Sequence, residues 1–386
     1  MLRTFRAAAA AALLLFALPA AAQKPAPAAT PAPKPAASPA GPVKADAKTI
    51  QGATPAGPAG SRQAEVEDLR LLTGATKDPY QLERFGVAAV QKGELDMARQ
   101  FFEQSWKVGE LPTAPYNLAC LDARAGKADE AFRQLDRAVG AGFDEEAILL
   151  SDHDLDSLRG SPRFGTVLAG VRKNKVDGDR AVVTEATVVP PPGGKPAGIL
   201  VVLHGVASDP MSVAGPFVEE ARARNLLLFA PRGPARAGKR RFGWGAPERA
   251  VAALESAVAA AEKRAGGKDL PVFIVGAGRG GQLGLEFTAR KPGPWAGVAS
   301  IGGVYDPGPG GANAVQGLRR VRILMGAGRE APAELIRAMK QGTEDMKRLG
   351  LDVRWAEWPG SGDGLPDNAK AAARDVLNAL AGSRGA

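Results

Sequence analysis

One nonapeptide, Ile274-Val275-Gly276-Ala277-Gly278-Arg279-Gly280-Gly281-Gln282, constrains the fold of this chain more than any other stretch. An apolar run, Pro271 to Val275, leads into it, and a helical segment, Gln282 to Arg290, follows. Glycine adopts backbone angles that other residues reach only at a cost, and without a Cβ it lets a helix approach a strand closely. A glycine-dense junction of this kind belongs to a strand-turn-helix unit. The second half of the chain must therefore build a sheet connected by helices.

The rest of that half agrees. Apolar, β-rich runs appear at Ala181 to Val189, Ile199 to Leu203, Leu226 to Ala230, Val272 to Val275, Ala296 to Ile301, Val321 to Met325 and Leu351 to Glu357. Helices are expected near Val213 to Arg224, Pro247 to Ala265, Gly281 to Arg290, Ala331 to Leu349 and Asn368 to Ala381. Alternation of this kind predicts a mostly parallel, doubly wound sheet covered on both faces, over residues 177–386.

Residues 62–176 read instead as an all-α helical-repeat domain. Gly93-Glu94-Leu95-Asp96-Met97-Ala98 aligns with Gly126-Lys127-Ala128-Asp129-Glu130-Ala131, 33 positions later. Gly86 with Phe101 and Phe102 flanks the first copy, and Tyr116 to Cys120 with Leu135 and Ala138 flanks the second. A small residue at a helix crossing, a glycine turn and an aromatic on the second helix resemble the tetratricopeptide repeat. That resemblance implies a module that binds a protein partner, which the sequence does not name, with Phe143 to Val171 as its cap. Within the cap, Asp152-His153-Asp154 begins like a calcium loop, but Ser157 replaces the glycine and Arg163 the final glutamate that such a loop needs. It reads as a helix-capping segment, with Ser151 or Asp152 as the cap. Tyr116 and Cys120 read as core.

Five landmarks in residues 177–386 together resemble the carboxylesterase and phospholipase branch of the α/β-hydrolases, the branch that includes dienelactone-hydrolase-like proteins. They are Leu203-His204-Gly205, Ala230 to Pro234 with Phe242-Gly243-Trp244, the turn Gly276 to Gly281, Met325 to Arg329, and Pro359 to Pro366. The nucleophile turn of that family reads G-x-S-x-G, and here it reads Gly276-Ala277-Gly278-Arg279-Gly280. Carried over position by position, the family's serine falls on Gly278, its acid on Arg329 with Glu330 adjacent, and its histidine on Asp363. His204, Gly205 and Arg279 take the oxyanion-loop positions. Removing any one member of such a triad costs orders of magnitude in rate, so the resemblance implies a hydrolase fold without its chemistry. Arg329 and Asp363, opposite charges in the places of acid and base, are expected to form an ion pair.

Two other functions stay open. Ser300 ends a strand, and an esterase with a non-standard constellation is one alternative, although the residues offer no Ser-His pair, no Cys-His pair and no metal-ligand cluster. Gly276-x-Gly278-x-x-Gly281 is also formally the dinucleotide fingerprint, with Asp306 25 residues past Gly281 as the ribose acid. It falls after three earlier apolar runs, whereas the fingerprint belongs to the first strand-helix turn of its domain. No cofactor is expected. A basic run, Arg236, Lys239, Arg240 and Arg241, is either a solvated flexible loop or, with Arg279, the wall of a cleft for a small anion.

The two ends of the charge and hydropathy pattern concern location. Met1 to Ala22 has a charged, then an apolar, then a small-residue region, and reads as a secretory signal cleaved after Ala22. Residues 23–61 are Pro- and Ala-rich and read as a disordered tether. Loss of Arg3 and Arg6 with the signal takes the net charge from +9 to +7, an excess too diffuse to imply a nucleic-acid partner. An exported protein, periplasmic or secreted, is expected, with no transmembrane segment after the signal.

Overall fold

The computed structural model describes residues 76–305, 315–360 and 365–381. The signal, the tether, Asp306 and Asp363 lie outside the described residues, and so does the expected Arg329–Asp363 pair.

The first part is a stack of helical hairpins: α1 (Pro79–Lys92) with α2 (Leu95–Gly109), and α3 (Thr113–Arg124) with α4 (Ala128–Gly140). Asp78 caps α1, its side chain accepting from the Tyr80 amide, and Pro79 stands at the first helical position, where its missing N–H costs nothing. The turns are built alike: Gly93 and Gly126 both lie in left-handed backbone, φ 81° and 70°. Gly86 is small because the Phe102 ring occupies its flank, where a Cβ would come within 2.4 Å of it. Leu82, Val87, Val90, Phe101, Phe102 and Leu118 fill the first core, and Tyr116, Phe132, Phe143, Leu155, Phe164 and Val171 the second. α5 (Glu146–Ser151) and a 3-10 turn (His153–Leu158) follow, the latter capped by the Asp152 side chain.

α6 (Pro162–Thr184) corrects the expected strand at Ala181 to Val189: only Thr187–Val189, β1, is extended. Val182 and Val183 are β-branched, but the helix runs through Gly178 and on to include them. Their partner is the core of the sheet half, in which Val182 is fully buried. Phe164, Val167 and Val171 on the same helix belong to the second helical core. One helix therefore crosses the expected boundary at 176 and ties the halves together.

The sheet has seven strands in the order β1-β3-β2-β6-β7-β8-β9. These are β2 (Gly198–Leu203), β3 (Leu226–Ala230), β6 (Val272–Ala277), β7 (Trp295–Ile301), β8 (Arg322–Gly328) and β9 (Val353–Trp358), all parallel, with β1 antiparallel at the edge. Successive residues of β2 enter opposite cores, Ile199, Val201 and Leu203 on one face and Leu200 and Val202 on the other. The first face is covered by α9 (Pro247–Ala265), α10 (Arg279–Arg290) and α11 (Ala333–Arg348), and the second by α7 (Pro210–Ala214), α8 (Val218–Ala223) and α12 (Ala369–Ala381). A small hairpin, β4 (Ala235–Arg236) and β5 (Phe242–Gly243), projects from the carboxyl edge. The chain leaves β2 towards β3, then returns past it to β6. This reversal is the switch point outside which doubly wound sheets place their ligands. No described helix is long and apolar enough to cross a membrane.

Candidate functional site

At that switch point β6 enters α10 through Gly278, whose angles are φ 50° and ψ −122°. Residues with a Cβ are rarely found in this region and carry strain there, whereas glycine takes it freely. The Gly278 amide donates to the Ile301 carbonyl at 2.8 Å, and its own carbonyl accepts from the Gly281 and Gln282 amides. The flanking glycines are fixed by close approach. A Cβ on Gly276 would come within 2.3 Å of Gly280, one on Gly280 within 2.4 Å of the His204 carbonyl, and one on Gly281 within 2.4 Å of Ser300 Oγ. The turn is thus wedged between β2 and β7.

No histidine serves this turn. The chain has two, and His153 lies in the helical half, exposed and beside Asp156. His204 is fully buried with both ring nitrogens engaged. Nε2 accepts from the Gly233 amide at 2.8 Å, which places the proton on Nδ1, bonded to the Gly205 carbonyl at 2.7 Å. The ring stacks on Trp244, whose Nε1 donates to the His204 carbonyl. Burial pushes its pKa down to about 4, so it stays neutral. Ser300 is buried and donates to the Gly303 carbonyl at 2.9 Å. Arg329 and Glu330 are exposed just beyond β8.

The basic run is solvated and does not as a group wall a cleft. It forms the β4/β5 hairpin, whose tip docks on the helical half: Tyr80 Oη donates to the Ala237 carbonyl at 2.6 Å, and Gly238 lies against the Gly109 carbonyl. Lys239 reaches Glu110 at 3.6 Å. Lys239, Arg240 and Arg241 are turned to the exterior, and only Arg236 joins Arg279 in lining a cavity. Docking of the tip on α1 and α2 carries the other three away from it.

That cavity, about 170 Å³, opens between the two halves of the molecule. The helical half contributes Tyr80, Glu83, Leu111, Thr113 and Phe143 to Glu145, and the sheet half Val206, the hairpin, Trp244 and Arg279. Arg279 is paired with Glu286 at 3.0 Å. Asp144, buried, meets Arg249 at 2.8 Å, and Arg249 also holds Asp179 at 2.7 Å and the Lys175 carbonyl. Glu83, 4% exposed, accepts from Thr113 Oγ1 at 2.5 Å. Burial raises its pKa from the ordinary 4.5 to about 7, against the opposing effect of the Thr113 bond.

Glu83 makes stability depend on pH. Below about pH 4.5 its carboxyl is protonated in both states; between there and about 7 the unfolded chain gives up a proton that the folded chain keeps. Its contribution to stability therefore falls across that window. Glu83→Gln is expected to stabilise the protein at pH 8 by up to roughly 3 kcal/mol and to change it little at pH 4.5, as read by urea unfolding at the two pH values.

Sequence spacing missed one cluster. Cys120, Asp152 and Asp154 bring ligand atoms within 4.8 Å of one another. Asp152 is occupied structurally: it accepts from Tyr116 Oη at 2.6 Å and Cys120 Sγ at 3.5 Å, and it caps the 3-10 turn.

Sheet order, the wedged strand-turn-helix junction and the helices on both faces define an α/β fold of the hydrolase type. Among similar solved structures are esterase PE8, 19% identical over 50% of this chain and 98% of that one, with a TM-score of 0.44, and Zea mays acyl-protein thioesterase 2, 15% identical over 50% and 98%, at 0.40. An uncharacterised Bacillus cereus protein is 17% identical over 78% of this chain and 98% of that one, at 0.42. No protein-family model matches the chain, and no curated protein does.

Proposed function

We propose that this is a non-catalytic binding protein built on an α/β-hydrolase fold. The observation that carries the reading is the identity of the residue at the strand-helix turn. Gly278 holds the backbone angles of the junction but offers no atom to attack a carbonyl, and His204 spends both ring nitrogens on backbone groups. Nucleophilic acyl transfer needs a nucleophile and a base within hydrogen-bond reach of each other. Arg329 and Asp363 would then be relics of the acid and histidine positions. The helical hairpins, tetratricopeptide-like in their 33-residue spacing, support a protein partner, and the leader supports export to the periplasm or beyond.

The test is turnover of short and medium acyl aryl esters by the purified protein. No turnover above the rate without protein is expected. Turnover at the level of a working hydrolase would favour the esterase alternative.

A further inference from the structure

Glu83 is the group in the interdomain cavity that the fold leaves unexplained. It is a carboxyl on α1, buried on the apolar side of that helix among Leu82, Gly86 and Val87, and no lysine or arginine pairs with it among the described residues. Two of the other charges on the lining are paired. Asp144 is neutralised by Arg249 and Arg279 by Glu286. Arg236 is exposed, its stem packed on Gly142 and its guanidinium over the Phe242 ring. Glu145 adds a second, half-buried carboxyl beside Asp144, held above the ordinary carboxylate range first by burial and then by that neighbour. Trp244, Phe143, Leu111 and Pro112 make the remaining wall apolar.

A cavity with its one unpaired arginine, Arg236, exposed and an unpaired carboxyl buried at Glu83 suits a cation better than the anion that one reading of the basic run offered. Burying a carboxylate without a counter-charge is costly, and an ammonium brought in by a ligand removes that cost while its hydrocarbon covers the aromatic wall. From this geometry we infer that the cavity binds a small organic amine, with its ammonium on Glu83 and its apolar body against Trp244, Phe143 and Leu111. The inference rests on the reading that this protein binds rather than cleaves.

Titration calorimetry of the purified protein with 2-phenylethylamine, 2-phenylethanol and 3-phenylpropionate compares an ammonium, a hydroxyl and a carboxylate on similar hydrocarbons. At pH 8 the amine is expected to bind at least roughly tenfold more tightly than the alcohol, and Glu83→Gln to remove that advantage. At pH 6, below the raised pKa of Glu83, seating the amine should ionise the carboxyl and release about one proton, seen as a dependence of the heat on the ionisation enthalpy of the buffer. Proton release needs no variant, so the inference stays testable if Glu83→Gln does not fold. Equal binding of amine and alcohol, preference for the carboxylate, no release of a proton at pH 6, or no amine binding up to about 10 mM would each overturn it. No arm reads ester cleavage, so an esterase activity would contradict the binding-only reading and leave this result standing.

Discussion

Arg249→Ala is expected to lower the melting temperature by roughly 5–10 °C, the equivalent of about 3–5 kcal/mol. Arg249 stands in the first turn of α9 on the sheet half, and its guanidinium holds Asp144 of the helical half and, on the connecting helix α6, Asp179 and the Lys175 carbonyl. Asp144 is 6% exposed. Burial already pushes its pKa up, with Arg249 as the opposing influence. Removing the arginine leaves a buried carboxyl without its ion-pair partner, and a broken buried pair costs far more than an absent one. Arg249→Lys should recover only part of the loss, because a point charge on a flexible stem cannot reach all three partners as a planar fork does. The size of the drop should shrink as the pH falls and Asp144 becomes neutral. Differential scanning calorimetry at pH 8 and pH 5 checks both the magnitude and its direction with pH.

Gly280→Ala is expected to cost about 3 kcal/mol, although alanine is the better helix former. The added Cβ would lie 2.4 Å from the His204 carbonyl oxygen and 2.6 Å from that of Leu203, both backbone atoms at the end of β2, an interior strand. A side chain could swing aside; a strand in mid-sheet cannot do so without shifting its neighbours. Gly165→Ala in α6 is the control, since a Cβ there meets nothing within 4 Å. It should stabilise the protein by roughly 0.5–1 kcal/mol, through the backbone entropy that glycine loses in a helix. Urea unfolding of the two variants beside the parent gives the comparison, and a neutral Gly280→Ala would mean that α10 is not wedged against β2.

Local pattern carried much of this fold. The apolar runs at Ile199 to Leu203 and Leu226 to Ala230 are strands, the first beginning one residue earlier at Gly198, because a buried parallel strand is apolar on both faces. The two glycine turns 33 residues apart are real turns, since left-handed backbone selects glycine wherever it occurs. Ala181 to Thr184 misled because β-branched residues at the end of a helix look like the start of a strand, and what decides between them is a core assembled from distant segments. Of the two readings of the basic run, the solvated one fits Lys239, Arg240 and Arg241, which are exposed because Tyr80 and Gly109 fix the direction of its tip.

The cavity between the two halves was barely legible. Its lining comes from stretches separated by more than a hundred positions, between Glu83 and Arg279, and nothing local links them. One signal was available: Glu83 shares a helical face with Pro79, Gly86, Val87 and Val90, all of them buried. A carboxylate in the apolar stripe of an amphipathic helix is out of place unless something meets it.

Covalent labelling decides whether the strand-helix turn at Gly278 lacks a nucleophile. Purified protein treated with a fluorophosphonate probe, and analysed by peptide mass spectrometry, should carry no adduct that depends on the folded state. A stoichiometric adduct lost on denaturation would contradict the binding-only reading, and the labelled residue would identify a nucleophile that Gly278, with no side chain, cannot be.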